Sequence, residues 1–411
     1  MFAKFPEPLA LATYALRWLG LATLVGLLAG TASAIFLVSL DAATQYRESH
    51  RWLVWWLPVA GFAVAWVYLH YGQPVEAGNN LLIDEIHDPK KTVPLRMAPL
   101  ILVSTLLSHL FGASVGREGT AVQMGGALAD QLTRLFRLDR EARRVLLMAG
   151  IAAGFASVFG TPLAGAVFAL EVLAIGRLRY DALLACCVAA IVGQQTALLW
   201  GIHHTPYAAG VLPAVGLWSL LATVIAGGIF GLAGMAFAKS THRLSNFMRQ
   251  RLAYAPLRPL LGGLVIAAAL VTFNAWRYAG LGTPVITESF HQQLWPWDFL
   301  GKMAFTIGAL GSGFKGGEVT PLFYIGATLG NALAPLLHLP FAFLAALGFV
   351  AVFAGAANTP LACTLLAIEI FGADIGLFAL LACVVSYLFS GHTGIYKAQR
   401  IAQSKPHKAN G

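Results

Sequence analysis

GREGTAVQMGGAL, residues 116–128, occurs twice in this chain in recognisable form. GGEVTPLFYIGAT (316–328) lies at an offset of 200 and aligns Glu318 with Glu118, Thr320 with Thr120 and Gly326 with Gly126. A second pair follows in the same order. GTPLAGAVFALEVL (160–173) and NTPLACTLLAIEIF (358–371) lie at an offset of 198, which aligns Thr161-Pro162-Leu163 with Thr359-Pro360-Leu361 and Glu171 with Glu369. Two blocks in one order at nearly one offset indicate a duplication, with halves at about 12–205 and 206–400 of a single transmembrane domain spanning 1–411.

The setting of these blocks is apolar. Of 411 residues 58% are hydrophobic and 11% charged, against about 25% charged in soluble domains; the mean hydropathy is +0.72. Apolar runs cover 19–40, 52–69, 95–113, 145–173, 182–200, 211–238, 260–273, 297–313, 340–371 and 373–390. Several exceed the roughly 18–20 residues a helix needs to cross a bilayer, so the chain reads as an all-α polytopic membrane protein. The first run follows Lys4 and Arg17 without a small-residue cleavage site, so no removable signal peptide is expected.

The formal charge of +9 resides in short loops. Arg134, Arg137, Arg140, Arg143 and Arg144 form one group, and Lys239, Arg243, Arg249, Arg251 and Arg258 another; Lys397, Arg400, Lys405 and Lys408 close the chain. The positive-inside bias then places both termini in the cytoplasm, with a bacterial inner membrane as the expected location. No basic tract is interleaved with aromatics, so no nucleic-acid partner is expected. Cys186, Cys187, Cys363 and Cys383 sit in apolar runs and read as small buried residues. HExxH, GxSxG and Walker signatures are missing, so no enzyme activity, metal or cofactor is predicted.

The duplicated blocks read as broken helices. Pro162, Pro321 and Pro360 stand where helices begin, the position that tolerates proline. A helix starting inside the protein aims free N–H groups and a positive dipole end at whatever precedes it, which suits an anion. Unwound backbone at that depth must line a cavity. EAGNNLLIDEI (76–86) is a third such loop, where Asn79 is read either as a helix N-cap or as an amide donor to an anion. Glu118 either caps its helix and pairs statically with Arg117, or acts as a tethered anion that fills the site when ionised and leaves when protonated. Glu318 has the same choice. Glu171 and Glu369 read as buried carboxylates bonded to the N–H groups of a broken helix. Tyr396, in GHTGIYKAQR (391–400), reads as an interfacial anchor whose phenol is also a donor.

Together these motifs resemble the CLC family of chloride channels and anion/proton antiporters over nearly the full length, and its fluoride-selective branch most closely. GREGT (116–120) stands where chloride members carry GREGP or GKEGP, GNNLL (78–82) where they carry GSGIP, and GGEVTPLF (316–323) in the region of their GxFxP motif. The resemblance implies two inverted-topology repeats with broken helices meeting at a midplane anion site, and a homodimer with one pore per subunit. It implies that Glu118 gates and carries the proton, and that Asn79, Thr320, Tyr396 and backbone amides around Gly116, Gly119 and Val319 surround the ion. The implied activity is export of cytoplasmic fluoride in exchange for protons, useful because neutral HF crosses membranes and is trapped inside as fluoride. A chloride/proton antiporter or passive anion channel is the alternative on the same fold.

Two departures stand out. Chloride antiporters carry an inner proton glutamate just after the position of Glu171; here it is Val172, which makes Glu318 the first candidate for another proton or gating group. The chain ends about 15 residues after Tyr396, so no C-terminal regulatory domain is expected.

Overall fold

The computed structural model describes residues 7–405; Lys4 and Lys408 lie outside them. Eight helices form the first half: α1 (Glu7–Ser49), α2 (Leu57–Val67), α3 (Asn79–His87), α4 (Met97–Leu110), α5 (Glu118–Leu135), α6 (Arg140–Phe159), α7 (Pro162–Glu171) and α8 (Leu183–Leu199). Eight more follow: α9 (Leu217–Arg251), α10 (Leu257–Thr272), α11 (Thr283–Glu288), α12 (Asp298–Ser312), α13 (Val319–Leu337), α14 (Phe341–Ala357), α15 (Pro360–Phe371) and α16 (Gly376–Phe389). Each half opens on its longest helix and places its shortest third. Six helical segments are long and apolar enough to cross a bilayer among the described residues. Several others are too short, as the reading of broken helices requires: α7, at 10 residues, extends only about 15 Å.

The apolar runs 145–173 and 340–371 each contain such a break. α6 ends at Gly160 (φ 73°) and α14 at Asn358 (φ 57°), both in the left-handed region, and Pro162 and Pro360 then open the next helix. Glu171 is buried and Glu369 half-buried, and both bind helix starts as their positions predict, with a crossing no single stretch reveals. Glu171, at the end of α7, accepts N–H bonds from Leu361 (3.1 Å) and Ala362 (2.8 Å) at the start of α15. Glu369, near the end of α15, accepts from Leu163 (2.9 Å) and Ala164 (2.8 Å) at the start of α7. Each half therefore neutralises the other's broken helix, and neither of these helix starts is open to an ion. Pro321 sits at the third position of α13, two residues further in than Pro162 and Pro360 in their helices.

The core crossings depend on hydrogen as a side chain. A methyl built on Gly326 would lie 1.9 Å from the Gly348 carbonyl oxygen, where α13 crosses α14. In the first half it is Gly125 that takes this place, against Gly150 of α6, while Gly126 packs on Leu82. Gly326→Ala is expected to destabilise the detergent-solubilised protein by about 3 kcal/mol, because helix backbone rather than a side-chain tip must yield. Gly20→Ala is the control, since nothing lies within 4 Å of a methyl there. Equal melting temperatures for the two variants would refute the tight crossing.

One member of the first arginine group is a buried strut rather than a free loop cation. Arg143 on α6 binds Asp130 of α5 through Nε and Nη2, both at 2.8 Å, and Glu85 of α3 through Nη1 at 2.9 Å. Its Nη2 also donates to the Lys91 carbonyl at 2.7 Å. Residues 395–403 form a strap that carries one strand of the two-stranded sheet found among the described residues. β1 (Ala174–Ile175) pairs in parallel with β2 (Arg400–Ile401), Gln399 donates to the carbonyls of Val172 and Ala357 at 3.0 Å, and Ile395 N–H donates to Ala356 at 2.8 Å. This strap positions Tyr396.

Candidate anion site

The loops before α5 and α13 are stapled together. Gly116 and Gly317 exchange both backbone hydrogen bonds, at 2.6 and 2.7 Å, as an isolated antiparallel bridge. If the two blocks are matched across this bridge, Gly116 corresponds to Gly317. The helix starts agree. Arg117 (φ −113°, ψ −24°) and Glu318 (φ −111°, ψ −17°) are the N-caps, and Glu118 and Val319 are the first helical residues. This corrects the sequence alignment of the first block by one residue, to an offset of 201. The correct counterpart of Glu118 is Val319, and that of Glu318 is Arg117. The sequence alone favours the wrong register because matching Glu to Glu and Thr to Thr outweighs a shift that only backbone geometry resolves.

Glu118 is fully buried. Its carboxylate binds the N-cap N–H of its own helix and also reaches across to the start of α13. The Thr320 N–H donates to Oε2 at 3.1 Å, the Thr320 hydroxyl donates to Oε1, and the Arg117 N–H donates to Oε2 at 3.1 Å. The Arg117 Nε lies 3.6 Å from Oε1, too long for a hydrogen bond, so the static Arg117 pair is a minor part of the binding. The positive end of α13 thus holds an anion that belongs to the protein.

The remaining donors surround this contact. Asn79 is the first residue of α3, with Gly78 (φ 60°) as N-cap, so the N-cap reading of Asn79 is not what the fold shows. Its side-chain amide lies against Gly119, whose Cβ would fall 3.0 Å from Nδ2, and Nδ2 has no acceptor among the described residues. Tyr396 is 7% exposed and stands edge-on to Phe168 at 6.3 Å. It is a buried residue, not an interfacial anchor. Val319 and Gly119 sit in the first turns of α13 and α5, where N–H groups have no helical acceptor. Gly116 differs from expectation: its N–H is engaged by Gly317, which makes it a staple rather than a donor to an ion. The Thr120 hydroxyl is likewise engaged, 2.7 Å from that of Thr105.

Cavities lie on either side of the α13 start. A pocket of about 40 Å³ is lined by Arg117, His204, Tyr207 and Thr320. A polar vestibule of about 140 Å³ is lined by Asn79, Gln123, Lys315, Glu318 and Tyr396. Arg117 and Glu318 thus line different cavities. The Glu318 carboxyl forms no ion pair or hydrogen bond among the described residues. Val172 is buried at the end of α7, where its carbonyl accepts from Gln399. Gln123 and Lys315 escaped the sequence reading. Lys315 was visible as a cation beside the second glycine pair; Gln123 gave no signal, because only the fold brings it to the Gly78 loop.

Comparison with known proteins fits this geometry. Residues 60–391 match the family model described as voltage gated chloride channel. A chloride/fluoride channel protein of Pseudomonas syringae pv. tomato is 64% identical over 98% of this chain and 90% of that relative. This chain belongs to the CLC family. A solved CLC-type fluoride/proton antiporter shares 36% identity and a TM-score of 0.91, covering 94% of this chain and 98% of that one. A slow cyanobacterial Cl-/H+ antiporter shares the fold at a TM-score of 0.82 and 23% identity, covering 92% of this chain and 96% of that one. The CLC chain described here is accordingly a multi-pass helical membrane protein of a channel and transporter family.

Proposed function

We propose that this protein is a fluoride/proton antiporter that exports cytoplasmic fluoride in exchange for protons. The observation that carries the reading is Glu118, whose carboxylate occupies the donors of the α13 start supplied by Thr320. A carboxylate in an anion's place exchanges with that anion by taking up a proton and leaving, so one group couples both movements. The resemblance to the solved fluoride/proton antiporter supplies the ion. Fluoride is small and strongly hydrated, and a site must replace its water with close donors. The Thr320 amide and hydroxyl, Asn79 Nδ2, the Tyr396 hydroxyl and the first-turn amides at Gly119 and Val319 form that set.

Glu118 gates and carries the proton in this reading. Glu318 lines the vestibule and, with Val172 at the family's inner proton position, relays or gates on the other side. The vestibule is assigned to the cytoplasmic side because Arg249 and Arg258 line the cavity adjoining it, in keeping with a bacterial inner-membrane protein with both termini inside. The halves 12–205 and 206–400 form two inverted repeats of one domain, and two copies assemble with one pore each. Proteoliposomes loaded with fluoride test the reading. Fluoride efflux is expected to drive proton uptake, and fluoride to outpace chloride by at least about tenfold, worth roughly 1.4 kcal/mol at the barrier. Equal chloride and fluoride rates, or anion flux without proton movement, would sink it.

A further inference from the structure

The vestibule continues outward. A second cavity of about 170 Å³ shares Tyr68, Glu76, Phe314 and Lys315 with it and reaches Arg249 and Arg258 at the surface. Lys315 stands where the two meet. Its Nζ lies 4.3 Å from the centre of the Tyr68 ring, which fixes it by a cation–π contact. Among the described residues it forms no hydrogen bond and no ion pair. Lys302, another lysine within the fold, shows what a structural ammonium looks like here: it donates to the carbonyls of Gly280 (2.6 Å) and Tyr278 (3.1 Å). Arg258 is likewise tied down, to the carbonyls of Leu252 and Ala253. Lys315 is the cation at this junction whose donors are uncommitted.

We propose that Lys315 forms a fluoride-collecting station, an anion-binding position between the vestibule mouth and the Asn79–Tyr396 site. The inference rests on the fluoride-transport reading above. Three cations against the carboxylates of Glu76 and Glu318 give the passage a net attraction for anions, and low-dielectric walls focus it. A compact, strongly hydrated ammonium suits a small, strongly hydrated anion, and it holds that anion by charge without the fixed fork of an arginine. The ion arrives still partly hydrated and exchanges water for protein donors only at the deeper site.

The test compares Lys315→Met, which keeps the stem against Tyr68, with Lys315→Arg, which keeps the charge. In proteoliposomes at low ionic strength the half-saturating fluoride concentration for Lys315→Met is expected to rise roughly 3- to 10-fold, because the local anion concentration falls. The difference should shrink when an inert, impermeant salt is added to about 0.3 M, where screening removes the field. Maximal rate and the fluoride-to-proton ratio stay at wild-type values, and Lys315→Arg stays close to wild type throughout. A folded, monodisperse Lys315→Met with unchanged half-saturation and unchanged salt dependence overturns the proposal. So does equal impairment in Lys315→Arg, which assigns Lys315 to packing on Tyr68. Wild-type protein that moves no fluoride removes the transport reading and this inference with it, an outcome distinct from either variant result.

Discussion

Glu118→Gln is expected to abolish proton movement, lowering proton flux by at least about 100-fold while leaving the protein folded. Glutamine matches the shape of the carboxyl and carries one acceptor and one donor group, the complement of a protonated glutamic acid. Its oxygen takes the N–H groups of Thr320 and Arg117 that now reach Oε2, and its NH₂ faces the Thr320 hydroxyl, which accepts in turn. The melting temperature should therefore stay within a few degrees of wild type, since both N–H donors keep an acceptor and only the Thr320 O–H loses its own. What disappears is the titration. A site that is permanently in the protonated form has no charge to compete with fluoride and no proton to release, so a pH gradient no longer drives fluoride and fluoride no longer drives protons. Paired flux measurements in proteoliposomes check both. A Glu118→Gln protein that still pumps protons against a fluoride gradient would mean that another group carries them.

Arg143→Met should cost about 3–5 kcal/mol, because removing the guanidinium leaves two carboxylates facing each other out of water. Asp130 is fully buried and Glu85 is 7% exposed. Their remaining partners are modest: the Val93 N–H and Thr133 hydroxyl for Asp130, and the Lys90 and Lys91 N–H groups for Glu85. None brings a full positive charge. Arg143 also fixes α3 against α5 and α6, and Asn79 lies at the opposite end of α3. The variant is therefore expected to melt many degrees lower and to lose fluoride transport below its melting point as the Asn79 amide drifts. Adding Asp130→Asn and Glu85→Gln should recover part of the stability, since uncharged partners tolerate an apolar neighbour. A single variant as stable as wild type would mean that water reaches these carboxylates.

Much of the architecture was legible because it leaves local traces. The breaks at Gly160–Pro162 and Asn358–Pro360 are written in residues that stop and start helices, and the binding of helix-start N–H groups by Glu171 and Glu369 follows from carboxylates in apolar runs. The family was legible too, through GREGT, GNNLL, GGEVTPLF and Tyr396 in order. Less legible were residues defined by what crosses from elsewhere. Arg143 sits in a basic loop group by composition, yet the fold turns it inward. Gly116 belongs to the motif, yet its amide is committed to Gly317. Lys315 drew no reading from the sequence, and its place between two cavities depends on α2 and the loop before α3.

By itself, the sequence determined a membrane-embedded, duplicated helical chain with its broken helices and the carboxylates near them, since hydrophobic periodicity and helix-terminating residues act along the chain. Only the tertiary structure decided which donors each carboxylate meets. Glu118 binds the start of α13, Glu171 that of α15 and Glu369 that of α7, each from the other half of the molecule. It also decided the repeat register, making Val319 the counterpart of Glu118. That choice lies in backbone angles and a two-residue bridge, and an alignment of side-chain letters does not record either.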